Sequence, residues 1–393
     1  MREIFYLASR YLSYHRVKTA ILVTSITLII YLPVGLRVLA TQSRAELIAR
    51  ARVTPLLLGA KGSPLELTLN SLYFESEVPD PMRYAEIARV DSSHLARPIP
   101  LYTRFRCRGF PIVGTTLDYF ACRDLRLKSG RTLALLGECV VGWEVAHRLK
   151  ITVGDHLVSS AENVFDLAGA YPLKMRVVGV LERSYTPDDR AIFTDLKTTW
   201  IIAGIGHGHQ DLTKPGARAQ VLQKDGNTVV ANSSLMQYNE VTPENIASFH
   251  FHGNPMDFPV TAAIVLPESE KASTLLRGRY LSTKEPVQLV SPREVMHDLL
   301  ATIFTVQSYL IAAVLIVGLA TLATAILVFM LSLRLRRREI STMMKIGGSK
   351  RRISALLVSE IVAVLVLSVL LAGGLTLVTS HFGSAIIRSL ILS

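Results

Sequence analysis

The chain is poor in the residues that most soluble functions need. Three cysteines among 393 residues, Cys107, Cys122 and Cys139, are too few for a disulfide framework. One bridge, Cys107–Cys122, is open to them in an oxidising compartment, and three buried thiols is the favoured reading. No G-x-S-x-G, no H-E-x-x-H and no carboxylate pair in a catalytic context occurs, which removes the support for an enzyme. Leu58–Pro64 has glycines beside a lysine but not the G-x-x-x-x-G-K-[S/T] spacing. Pro64 also stands where a phosphate-binding helix would begin, so the stretch reads as a tight turn after a strand. Nucleotide binding is therefore not expected of this chain. Acidic residues are missing inside the long apolar runs, which argues against a proton- or ion-coupled carrier. Basic motifs interleaved with aromatics are missing too, so no nucleic-acid partner is expected.

What is present is hydrophobicity and positive charge. Half of the residues are hydrophobic, the net charge is +12, and the mean hydropathy is +0.35. That balance suits a membrane protein with a large water-soluble part. Twelve cations sit in two segments that flank apolar runs: Arg2, Arg10, Arg16 and Lys18 at the start, and Arg334, Arg336, Arg337, Arg338, Lys345, Lys350, Arg351 and Arg352 near the end. Short basic segments stay on the cytoplasmic side of a bilayer.

The expected organisation follows from this placement. Residues 1–18 form an amphipathic cytoplasmic helix on the membrane surface, in preference to a cleavable signal, and 19–41 a first span with Pro33 inside it. Residues 42–300 form an extracytoplasmic domain with helical stalks at both ends, 301–333 a second span and 334–360 a cytoplasmic loop. Residues 361–380 form a third span and 381–393 an extracytoplasmic tail. The fold class is thus a membrane protein of α-helical spans, three predicted, with a large α+β domain between the first two. Strand-sized apolar stretches at Pro55–Gly59, Cys139–Val141, Arg176–Leu181, Thr199–Ile205 and Thr261–Leu266 alternate with short helices, and the domain is long enough for two subdomains. Ser291-Pro292-Arg293-Glu294 reads as a capped helix start, from which a helix continues to about Arg338.

The loop has internal form. Arg336 to Lys345 reads as a helix, with Ile340, Met343, Met344 and Ile346 on one face. Gly347-Gly348 breaks it, and Ser349 is placed to cap the next helix. The run R-R-R-E-I-S-T-M-M-K-I-G-G-S-K-R-R-I resembles the signature of FtsX/LolC/MacB-type ABC transporter permeases, in which R-x-R-E-I precedes a glycine elbow and a basic turn. In that family the segment is the coupling helix that contacts the ATPase subunit. The resemblance implies contacts through Glu339, Ile340, Met343, Met344, Ile346, Gly347 and Gly348. Pieces of the middle region resemble the family's extracytoplasmic domain: Val140–Ala146 with Val153-Gly154-Asp155, the strand Met175–Leu181, and Ala191–Asp195.

The resemblance further implies a multi-pass protein of the bacterial inner (plasma) membrane, paired with a second permease chain and contacting membrane lipid. ATP and Mg²⁺ would belong to a separate ABC ATPase. The work would be extraction or export of lipoprotein, amphiphile or peptide. The family's usual plan has four spans with both ends inside; three spans with the C-terminus outside would depart from it. Two alternatives stay open: a membrane-anchored sensor or scaffold without transport, and a loop that merely binds anionic lipid.

Two H-x-H pairs remain, His207/His209 and His250/His252, with Asp211 as a further candidate ligand. Extended, each pair puts both imidazoles on one face, as a Zn²⁺ or Cu²⁺ site requires. Nothing in the sequence brings the pairs together, so two polar loops carrying histidine by chance is the favoured reading.

Overall fold

The computed structural model describes residues 2–160, 172–209, 221–225, 228–231, 238–282, 284–335, 337–345 and 349–391. The chain divides into a helical unit, Met1–Leu47 with Leu299–Ile391, and an α+β unit, Ile48–Asp298.

In the helical unit, the helix Arg2–Tyr14 is followed by Arg16–Arg52, and later by Pro292–Leu335, Arg337–Lys345 and Lys350–Ile391. Among the described residues two stretches are long and apolar enough to cross a membrane, Arg16–Gln42 and Ile353–Gly383; Ser308–Thr324 is a shorter apolar stretch. Large apolar side chains such as Leu310, Ile316, Leu370 and Leu377 stand exposed along these helices, as lipid-facing positions do. The first and last apolar helices pack side by side through small polar groups. Thr27 Oγ1 donates to the Ser368 carbonyl at 3.4 Å, Tyr31 Oη meets Thr379 Oγ1 at 2.8 Å, and Gln42 Nε2 donates to the Ser380 carbonyl at 2.8 Å. The partners ascend together along both helices, which therefore run parallel. Gly318 of the middle helix lies against Ile29, where an added Cβ would come within 3.2 Å of Ile29 Cγ2.

The α+β unit holds two main sheets. The smaller is antiparallel, in the order Val287–Val290, Leu56–Ala60, Ala262–Pro267, Ala96–Leu101. The larger is mixed. It runs Arg106–Cys107, Phe110–Thr115, Ile192–Asp195, Glu138–Val141, Lys174–Leu181, Leu127–Gly130, with His156–Val158 also on Lys174–Leu181. Where the length allowed two subdomains, the two sheets share one hydrophobic core, from Leu56, Leu58 and Val265 to Ile112, Val141 and Val177. All three cysteines are free; Cys107 and Cys139 are buried and Cys122 is half-buried.

Three readings change. Thr199–Ile205 is not a strand, because its first residues belong to the helix Leu196–Ile202. Asp195 caps that helix by accepting from the Lys197 N–H at 2.9 Å. Its β-branched residues are buried on the strand Phe110–Thr115, where Gly114 leaves room for Thr199. Packing thus overrides the extended preference of that composition. Pro64 does not prevent a helix. The helix Pro64–Tyr73 starts on it, and Ser63 Oγ accepts from the Glu66 N–H at 3.2 Å. Glu294 does not fold back onto its own cap, since both its oxygens are taken by Arg277.

Candidate functional site

The four histidines meet. Strands Gly206–Gly208 and Phe249–Phe251 pair antiparallel, with His207 opposite His250, and the His252 N–H donates to the Ile205 carbonyl at 3.0 Å. Alternation then puts His207, His209, His250 and His252 on one face. His207 lies 4.9 Å from His250, 4.8 Å from His252 and 5.8 Å from His209, between ring centroids. His250 lies 5.1 Å from His209 and 4.8 Å from His252. Ligand nitrogens of His207, His209 and His250 all fall within 4.8 Å of one another. The His250 Nδ1 lies 3.0 Å from the Ser248 carbonyl oxygen. Burial, and then the neighbouring imidazoles of His250, His252 and His209, hold the His207 pKa below the usual histidine range. Asp211 lies outside the described residues.

The opposite face explains why the strands sit this way. Phe251 covers Gly206 and Phe249 covers Gly208, so closely that a Cβ on either glycine would come within 2.6 Å of the ring. Both phenylalanines pack on the core, and Phe251 joins Trp200 and Phe258 at 6.4 and 6.1 Å. The pattern G-H-G-H against F-H-F-H therefore reads as one device, with phenylalanine over glycine inside and imidazole outside.

A second constellation was not anticipated from the sequence. Arg50, in the last turn of Arg16–Arg52, is 7% exposed and faces Asp188, which is 1% exposed. The guanidinium grips the carboxylate with two bonds, 2.6 and 2.8 Å, and also donates to Tyr119 Oη at 2.8 Å. Tyr119 Oη in turn donates to Asp188 Oδ1 at 2.7 Å, and Thr186 Oγ1 donates to Oδ2 at 3.0 Å. Burial pushes the Asp188 pKa up, but the Arg50 charge and hydrogen bond, with the Tyr119 hydroxyl, hold it below the ordinary carboxylate range. The first turn of Pro292–Leu335 is held by another two-pronged pair, Arg277 to Glu294 at 2.9 and 2.8 Å, but in the open, with side chains 46% and 58% exposed.

The loop helix spans Arg337–Lys345, with Arg337, Arg338, Met344 and Lys345 exposed and Ile340 half-buried. Ile346, Gly347 and Gly348 lie outside the described residues, as do the side chains of Glu339 and Met343. The next helix begins at Lys350, and the Ile353 N–H donates to the Ser349 carbonyl at 3.2 Å. Glu360, read above as the far end of the loop, falls inside the apolar stretch Ile353–Gly383. It is 4% exposed and lines the same cavity as His15 and Lys18. That apolar stretch therefore contains an acidic residue, at its start.

No protein-family model and no curated protein matches the chain. Among solved structures it is similar to the periplasmic region of MacB from Actinobacillus actinomycetemcomitans. That match has 10% identity and a TM-score of 0.35, over 64% of this chain and 97% of that one. It is also similar to the extracellular domain of the noncanonic ABC-type transporter YknZ from Gram-positive bacteria. Here the identity is 14% and the TM-score 0.30, over 60% of this chain and 98% of that one.

Proposed function

We propose that the chain is a permease-like subunit of an ABC complex that transmits movement across the membrane. A separate ATPase hydrolyses ATP, and the α+β unit acts outside on lipoprotein, amphiphile or peptide. The observation that carries this reading is the short basic helix Arg337–Lys345 set between two long apolar helices. Its cations Arg337, Arg338 and Lys345 are exposed beside a half-buried Ile340, the surface a helix needs to lie in a partner's groove. ATP binding closes the ATPase pair, the loop helices move with it, and the long helices carry the displacement outward. A second permease chain, like or unlike this one, completes the assembly in the bacterial inner membrane.

Three spans belong to this reading: 19–41, 301–333 and 361–380, with Met1 and the loop inside. The parallel packing of the first and last apolar helices supports it, because both would then leave the cytoplasm in the same direction. Labelling of single cysteines from the outer side, in a background lacking Cys107, Cys122 and Cys139, tests the arrangement. His381→Cys, at an exposed position, should label, and Ser349→Cys should not. The reverse pattern would end the model.

A further inference from the structure

We infer that His207, His209, His250 and His252 bind one zinc ion, which clamps the two strands. This does not rest on the transport reading. Around a tetrahedral zinc, a Zn–N bond of about 2.1 Å puts imidazole centroids about 5 Å apart. The five centroid separations run from 4.8 to 5.8 Å. In the square plane that Cu²⁺ prefers, opposed imidazole centroids would lie about 6.4 Å apart, and none of the five separations is that long. Among the described residues the metal-ligating cluster contains no carboxylate, which disfavours Ca²⁺ and Mg²⁺.

The site is also built beyond its ligands. With Nδ1 directed at the Ser248 carbonyl, His250 offers Nε2 to the metal with its ring orientation fixed. The phenylalanine-over-glycine packing fixes the strands from behind, so the imidazole rows have only one way to face. The Tyr238 N–H already donates to the Gly208 carbonyl at 2.9 Å, and a metal shared by the two strands adds a second link beside it.

The test uses the purified full-length protein in detergent, stripped with a chelator. Zinc is titrated against a chromophoric competitor, and hydrogen exchange is read on peptides covering 206–209 and 249–252. One equivalent of zinc should bind with a dissociation constant below about 1 μM, and exchange in both strands should slow. His207→Asn and His250→Asn should each weaken binding by more than the ten- to hundredfold typical of losing an outer-shell partner. His297→Asn, at an exposed position elsewhere, should leave it unchanged. Mg²⁺ should not substitute. Overturning results are absent or sub-stoichiometric binding, binding unaffected by His250→Asn, or bound zinc that leaves exchange in the strands unaltered. Should either variant misfold, the exchange pattern of the unsubstituted protein with and without zinc still decides the question.

Discussion

The last turn of Arg16–Arg52 and the first turn of Pro292–Leu335 are held in the α+β unit by the same chemistry and in opposite surroundings. Arg50 and Asp188 are buried, with Tyr119 and Thr186 filling the remaining positions on the carboxylate. Arg277 and Glu294 make an equally well-formed pair in water. A buried pair costs several kcal/mol to desolvate and regains it only through complete bonding, so losing one partner strands the other. An exposed pair contributes little and is screened by salt. The comparison assigns different duties to the two helix ends. The last turn of Arg16–Arg52 thus depends on a buried polar network, whereas the start of Pro292–Leu335 depends on apolar packing of Met296, with its ion pair in water adding little.

The largest effect is expected at the buried end. Arg50→Met should destabilise the α+β unit by about 3–5 kcal/mol, because Asp188 is left charged and unpaired. Trp143 and Trp200, the only two tryptophans, both lie in this unit, so denaturant titration followed by tryptophan fluorescence reports it directly. Arg50→Met with Asp188→Leu should recover most of the loss. If the single and double variants are equally unstable, the burden lies in packing and the contrast with the exposed end fails.

A smaller, pH-dependent effect sharpens the same point. The Asp188 pKa is depressed in the folded chain, so its contribution is complete above the ordinary aspartate value of about 3.9. It is lost as pH falls through the lower folded value. The stability advantage of the native chain over the double variant should therefore hold constant from about pH 8 to pH 4 and shrink only below that range. An advantage that shrinks between about pH 7 and pH 5 would show that Asp188 is not held ionised by Arg50.

The smallest effect is expected at Glu294→Gln, at most about 1 kcal/mol, and less in high salt. A loss as large as that of Arg50→Met would erase the distinction between the two ends.

What the sequence revealed and concealed follows from separation along the chain. Local signals were legible: Ser349 ahead of Lys350, Pro292 at the start of a long helix, and the short apolar runs at Arg176–Leu181 and Thr261–Leu266, which fall on the strands Lys174–Leu181 and Ala262–Pro267. Thr199–Ile205 misled because threonine, isoleucine and tryptophan suit either a strand or a helix buried on a sheet, and only Gly114, far away in sequence, decides between them. The pairing of Arg50 with Asp188, 138 residues apart, leaves no local trace. The two histidine pairs were visible, but their meeting was not. The missing clue was the phenylalanine alternating with histidine in Phe249–His252, matched to glycine alternating with histidine in Gly206–His209. The loop was the most legible part, because a charged, amphipathic helix between two apolar runs is a local pattern.

The central claim is that this loop seats a separate ATPase. It is tested most directly by purifying the complex with the unsubstituted chain, Met343→Asp and Lys345→Ala, and measuring bound ATPase and ATP turnover in nanodiscs. Burial of one apolar anchor is worth about 1.5–3 kcal/mol, and a rim charge much less. Met343→Asp should therefore strip the ATPase from a chain that still reaches the membrane, while Lys345→Ala retains it. Met343→Asp that carries as much ATPase as the unsubstituted chain would contradict the account and leave the loop as a lipid-binding segment.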